Sequence, residues 1–190
     1  MVSKSKILGE LNLILITTGT SNKPFFRLNQ SIIELIKKTT LPDNRYNFQT
    51  LTNISIINSN VKFINYFKRK DFIKLIKKSN KIITQSSPGN LYYITKYAKN
   101  MPLIIARSQN HKEAVGNHQK DFAQFILRSL PNEYKKYIVF KNGNIYPSIK
   151  SYILEKSQKN ILNKYIFLKK IKKNFFNKLQ IYIKKNIILE

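Results

Sequence analysis

Both histidines of this chain, one of its nine acids and one of its five arginines fall in the stretch "RSQNHKEAVGNHQ", residues 107–119. Those residue types suit a phosphorylated, hydroxyl-rich ligand. An arginine takes phosphate through a two-pronged donor set, while carboxylate and amide groups take hydroxyls. Glu113 and His118 are the candidates for acid–base work, because a histidine can change charge near neutral pH. Asn117, His118 and Gln119 stand where a helix should begin, so Asn117 is also a candidate N-cap, a role compatible with ligand contact. Seven positions separate His111 from His118, with Glu113 between, and this matches no recognised metal-ligand spacing. No metal site is expected.

Two other stretches have a related character. "TTGTSNKPFFRL" holds Gly19 and Thr20 in a tight strand-to-helix turn, and "TQSSPGNL" holds Ser87, Gly89 and Asn90 before a helix. Helix starts of this kind offer unpaired N–H groups to anions. Neither stretch is a Walker loop, and no G-x-G-x-x-G occurs.

The elements that must position these loops follow from periodicity. Leu11–Gly19, Lys81–Ser87 and "MPLIIARS" are short apolar runs bounded by turn residues, as strands buried on both faces should be. Pro24 is expected to open a helix with Phe25, Leu28, Ile32 and Leu35 on one face. "YNFQTL", "ISIIN", "VKFINYF" and "YIVF" read as further strands. Helices are expected from Asp71, from about Leu91 to Lys99 and from about Asn117 to Leu130. Strand–helix alternation of this type predicts an α/β fold: a Rossmann-like parallel sheet with helices on both faces. In such a sheet the loops leaving the carboxyl ends of the strands share one edge. The three loops above should therefore converge.

Composition sets the outer limits. A chain of 190 residues with twelve Phe and 42% hydrophobic residues suits one globular domain with an appended segment. Residues 1–150 form the expected domain, and 151–190 a basic amphipathic helical tail with ten Lys, two Glu and neither Gly nor Pro. The tail is expected to pack on the domain, meet a partner or lie on an anionic membrane surface. The absence of Cys excludes disulfides and thiolate chemistry. A net charge of +26 attracts phosphates, anionic lipids or nucleic acid. Part of it is background, since Lys, Ile, Asn, Tyr and Phe together are the mixture that AT-rich codons favour. Glu10 and Asn12 interrupt the N-terminal apolar run, so neither a leader peptide nor a membrane span is expected there.

In order, "ITTGTSNKPFFRL", "FIKLIKKSNKIITQSSPGNL" and "KNMPLIIARSQNHKEAVGNHQKDFA" resemble the conserved blocks of the glycosyltransferase family 28 C-terminal domain. The resemblance covers about residues 11–145. It is greatest to the small catalytic subunits of two-part transferases, those of bacterial exopolysaccharide synthesis and of dolichol-linked GlcNAc transfer. It implies a single GT-B half domain that binds a UDP-sugar and transfers a hexose with inversion, with no cofactor. It also implies a membrane-anchored partner supplying the acceptor half, a lipid-linked or membrane-associated acceptor, and a place at the cytoplasmic face of a membrane. Under it Gly19 and Thr20 lie at the interdomain cleft, while Ser87, Gly89 and Asn90 occupy the diphosphate turn. Arg107 lies beside the nucleotide, and Glu113, Asn117 and Gln119 meet the sugar.

The chain departs from the family at four places. Gln85 replaces a His, Ser87 a Gly, Tyr93 the Glu expected to hold the ribose, and Ser21 a His. These departures leave room for a catalytically degenerate interaction subunit of the same fold. A basic nucleic-acid-binding protein is the other alternative. Against it, most aromatics fall at core spacing, and no nucleic-acid-binding motif is present.

Overall fold

The computed structural model describes residues 12–155 except 20, 22, 39–43, 51–58 and 141. Six strands form one sheet: β1 (Asn12–Thr17), β2 (Asn44–Gln49), β3 (Val61–Ile64), β4 (Lys81–Gln85), β5 (Leu103–Ile105) and β6 (Ile138–Val139). Their spatial order is β3-β2-β1-β4-β5-β6, and every pairing is parallel. The helices are α1 (Phe26–Lys38), α2 (Arg69–Lys78), α3 (Pro88–Tyr97), α4 (His118–Ser129) and α5 (Tyr146–Leu154). The expected Rossmann-like α/β fold is present, and its strand order is that of the dinucleotide-binding folds.

Alternation along each strand assigns the helices to faces. Ile14, Ile16, Ile83, Leu103 and Ile105 pack with Leu28, Ile32 and Leu35 of α1 and with Ile149 and Ile153 of α5. Their neighbours Leu15 and Ile82 pack against α2 and α3 through Ile76 and Ile94, and Ile104 packs against α4 through Phe122 and Ile126. Full burial of each Leu or Ile contributes about 1.5–3 kcal/mol, so these side chains fix the two layers.

Local chemistry shifts several element ends from their expected places. α1 begins two residues after Pro24, with Phe25 buried just ahead of it. α2 begins at Arg69 rather than Asp71. α3 begins at Pro88 rather than Leu91: Ser87 is the N-cap and accepts from Asn90 N at 3.4 Å, with Pro at N1. The Ser-Pro-Gly that punctuates the sequence is thus a helix start. The strand expected at "ISIIN" lies outside the described residues.

The expected division at 150/151 falls inside α5. Tyr152 and Ile153 are buried, and the Tyr152 hydroxyl donates to Met101 O and accepts from Ile82 N, both at 3.0 Å. Lys81 Nζ donates to the Tyr152 and Glu155 carbonyls at 2.6 Å each, a cation closing the C-terminus of α5. Residues up to 154 therefore belong to the sheet domain. The remainder of the expected tail, 156–190, lies outside the described residues. Among the described residues no helix is long and apolar enough to cross a membrane.

Candidate functional site

Strand order reverses between β1 and β4, which opens a crevice at their carboxyl ends. Thr17 closes β1. Its Oγ1 donates to Gln49 Oε1 at the end of β2 (2.5 Å) and accepts from Asn90 Nδ2 in the first turn of α3 (3.1 Å). Gly19 follows with φ +74°, and a Cβ there would lie 2.0 Å from Gln85 Nε2. Gly19→Ala must therefore place a side chain in a left-handed conformation and push Gln85 off its partner. The expected loss is about 2–3 kcal/mol in urea unfolding.

Arg107 fastens the three loops together. It is 1% exposed, and its guanidinium makes four hydrogen bonds. Nε donates to Gln85 Oε1 (2.5 Å), Nη1 to the carbonyls of Lys23 (2.5 Å) and Glu113 (2.8 Å), and Nη2 to the carbonyl of Thr18 (2.7 Å). Burial pushes its pKa down to about 10, with the Glu113 carboxylate opposing, so it stays a cation at neutral pH. Gln85 is thereby accounted for: its amide oxygen accepts from a buried arginine. Ser86 Oγ ties the same loop to α4, donating to Gln119 O at 2.8 Å.

Glu113 is 0% exposed and bound to Arg27, a residue the sequence reading did not single out. Arg27 Nε donates to both carboxylate oxygens (3.1 and 3.0 Å) and Nη2 donates at 2.6 Å. The backbone N–H groups of Arg27 (3.1 Å) and Ser108 (3.2 Å) donate to it as well. The start of α1 thus already holds an anion from the chain itself. The start of α3 is open: a Cβ on Gly89 would meet nothing within 4 Å.

Gly19, Ser87, Gly89, Asn90, Arg107, Glu113 and Gln119 are accordingly gathered at one edge of the sheet. Thr20 lies outside the described residues. Arg107 and Glu113, expected against the ligand, are spent on holding the loops. The reason is burial: an unpaired charge at either position would be far costlier than the pairings they make. Asn117 and His118 are exposed, and Asn117 makes no capping side-chain bond. His111 lies apart from them, hydrogen-bonded to the Asn142 carbonyl. Gln119 is 8% exposed, and its Oε1 is buried without a partner.

Beside the start of α3 lies a cleft of about 260 Å³, lined from that helix by Gly89, Asn90 and Tyr93. Gln49, Tyr66, Phe67, Arg69 and Phe72 complete the lining. The Phe67 and Phe72 rings stack at 5.8 Å, Tyr93 meets Phe72 edge-on at 6.3 Å, and the Arg69 guanidinium sits 5.5 Å from the Tyr93 ring centroid. The run "NYFKRKDF" after β3 carries the sequence signal of this wall, aromatic residues interleaved with cations. A larger hollow of about 730 Å³ adjoins Leu103 and α5 at the opposite edge, away from the loop ends.

The glycotransferase of kitacinnamycin, a solved structure, superposes with a TM-score of 0.58 at 10% identity, over 93% of this chain and 43% of its own. The chain shares its fold with this glycosyltransferase. It therefore spans less than half of that enzyme's length. UDP-GlcNAc 2-epimerase from Neisseria meningitidis, solved bound to UDP-GlcNAc, aligns at 19% identity over 79% of this chain and 46% of its own. Its TM-score of 0.38 is too low to bear on the site. No family model matches the chain, and no curated protein matches it in sequence.

Proposed function

We propose that the chain is the donor-binding half of a glycosyltransferase of the family 28 type. It takes a UDP-sugar and acts with a membrane-anchored partner that supplies the lipid-linked acceptor, at the cytoplasmic face of the membrane. One observation carries this reading: three loop ends meet at the β1/β4 crevice, where a buried acceptor, Gln119 Oε1, lacks a donor. The start of α3 suits the diphosphate through the Gly89 N–H and the helix dipole, since Pro88 has no N–H and that of Asn90 is capped by Ser87. The aromatic cleft suits the base, and a sugar hydroxyl is the donor that Gln119 lacks. Helix-end N–H groups and nearby cations would stabilise departing UDP without further help. His118, exposed at the start of α4, is the acid–base group within reach of solvent and acceptor; Glu113 is held by Arg27.

Isothermal titration with UDP and UDP-sugars tests the proposal, and no heat from any of them, with or without the partner, rejects it. Gln119→Met should leave UDP binding unchanged and weaken UDP-sugar binding by up to about fivefold, the worth of one neutral hydrogen bond. Stability should hold or rise, since the substitution removes an unpaired buried acceptor.

The burial of Arg107 and Glu113 favours a second reading, in which the chain binds nucleotide while a partner supplies the chemistry. Unchanged turnover of the complex carrying His118→Ala would support it.

A further inference from the structure

Among the described residues the cleft beside α3 has no carboxylate in its wall, and carboxylates are what parallel α/β folds use to read a ribose. A carboxylate offers two acceptors to two vicinal hydroxyls, and the dinucleotide-binding folds place one near the end of their second strand. Here that position is Gln49, whose side chain is buried and whose Oε1 already accepts from Thr17. The sequence holds no Asp or Glu from Asn44 to Lys70, nor from Phe72 to Lys112. Asp71, between those spans, is exposed on the first turn of α2 and is not part of the wall.

What the wall does hold is aromatic and cationic. Tyr66 is 67% exposed and available for a base to stack on, while Phe67 stacks on Phe72 and Tyr93 meets Phe72 edge-on. Arg69 has five N–H donors and no acceptor, so it serves a phosphate or a base carbonyl and cannot accept from a hydroxyl. Asn90 turns its amide nitrogen to Thr17, leaving at most one neutral oxygen for the sugar. One neutral hydrogen bond discriminates a few-fold at most, whereas a charged, two-pronged one discriminates far more.

We propose that this cleft binds a nucleoside diphosphate through base and phosphates without reading the ribose 2′-hydroxyl, so that 2′-deoxy donors enter as readily as their ribose counterparts. The inference rests on the nucleotide-sugar reading of the same edge.

Calorimetric titration of the full chain with UDP and with 2′-deoxy-UDP, in the same buffer and salt, tests it. Dissociation constants within about fivefold of each other are expected, the span of a single neutral hydrogen bond. A preference for UDP of fivefold or more overturns the inference and leaves the nucleotide reading standing. No binding of either removes the nucleotide reading, and this inference with it. Tyr93→Glu provides a gain-of-discrimination variant, since it sets a carboxylate on the wall one turn along α3 from Gly89. It should raise the preference for UDP to about tenfold or more, the worth of a charged hydrogen bond. A ratio unmoved from that of the unsubstituted chain would mean the ribose lies elsewhere, and would overturn the proposal.

Discussion

Arg107→Met lowers the unfolding free energy by about 3–5 kcal/mol, among the largest expected losses for a single substitution at this site. The methionine fills much of the same volume but donates nothing. It strands the carbonyls of Thr18, Lys23 and Glu113 and the amide oxygen of Gln85, all facing a group that is 1% exposed. Water cannot replace the lost donors without the loops separating, so the loss combines several small terms. Arg107→Lys recovers little, because a compact ammonium cannot span four acceptors arranged around a planar fork. Urea unfolding of the three proteins provides the measurement. A loss below about 1 kcal/mol for the methionine variant would mean that the loops hold one another without the guanidinium.

Glu113→Gln is expected to cost about 3–5 kcal/mol, because it sets a neutral amide in place of the carboxylate that Arg27 meets in a nearly closed site. The amide also loses one of two equivalent acceptors that receive the Arg27 and Ser108 backbone N–H groups, so α1 loses its N-terminal anion. Breaking the pair from the other side, with Arg27→Met, strands a carboxylate that is 0% exposed. The double variant Arg27→Met/Glu113→Gln should cost less than the sum of the single losses, since with both charges gone neither is left buried without its partner. A double-mutant cycle by urea unfolding gives the coupling directly, expected at about 2–3 kcal/mol. Additive single losses would show that the two residues act on separate parts of the fold.

These two residues also show how far the site could be read from sequence. Their scarcity marks them: five arginines and nine acids in a chain with net charge +26 make Arg107 and Glu113 conspicuous, and their place after an apolar run puts them at a sheet edge. Scarcity does not distinguish a group that meets a ligand from one that meets its own chain. Arg107 reaches Thr18 across 89 positions, and Glu113 reaches Arg27 across 86. No local pattern encodes such a pairing. The aromatic cleft was missed for a related reason. Tyr66 and Phe67 come from the loop after β3, and Tyr93 from α3, so only folding shows that they share a wall.

By itself the sequence determined the layers of this protein. Continuous apolar runs belong in a sheet covered on both faces, and residues at three-to-four spacing belong on covering helices. Burial is a property each segment carries in its own periodicity. The tertiary structure decided the strand order, the helix start hidden in Ser87-Pro88-Gly89, the sealing of Arg107 and Glu113, and the opening left at α3 and Gln119. Each of these depends on which polar group meets which. Hydrogen bonds and ion pairs are short-ranged and directional, so their partners are settled only when distant loops are brought within about 3 Å of one another.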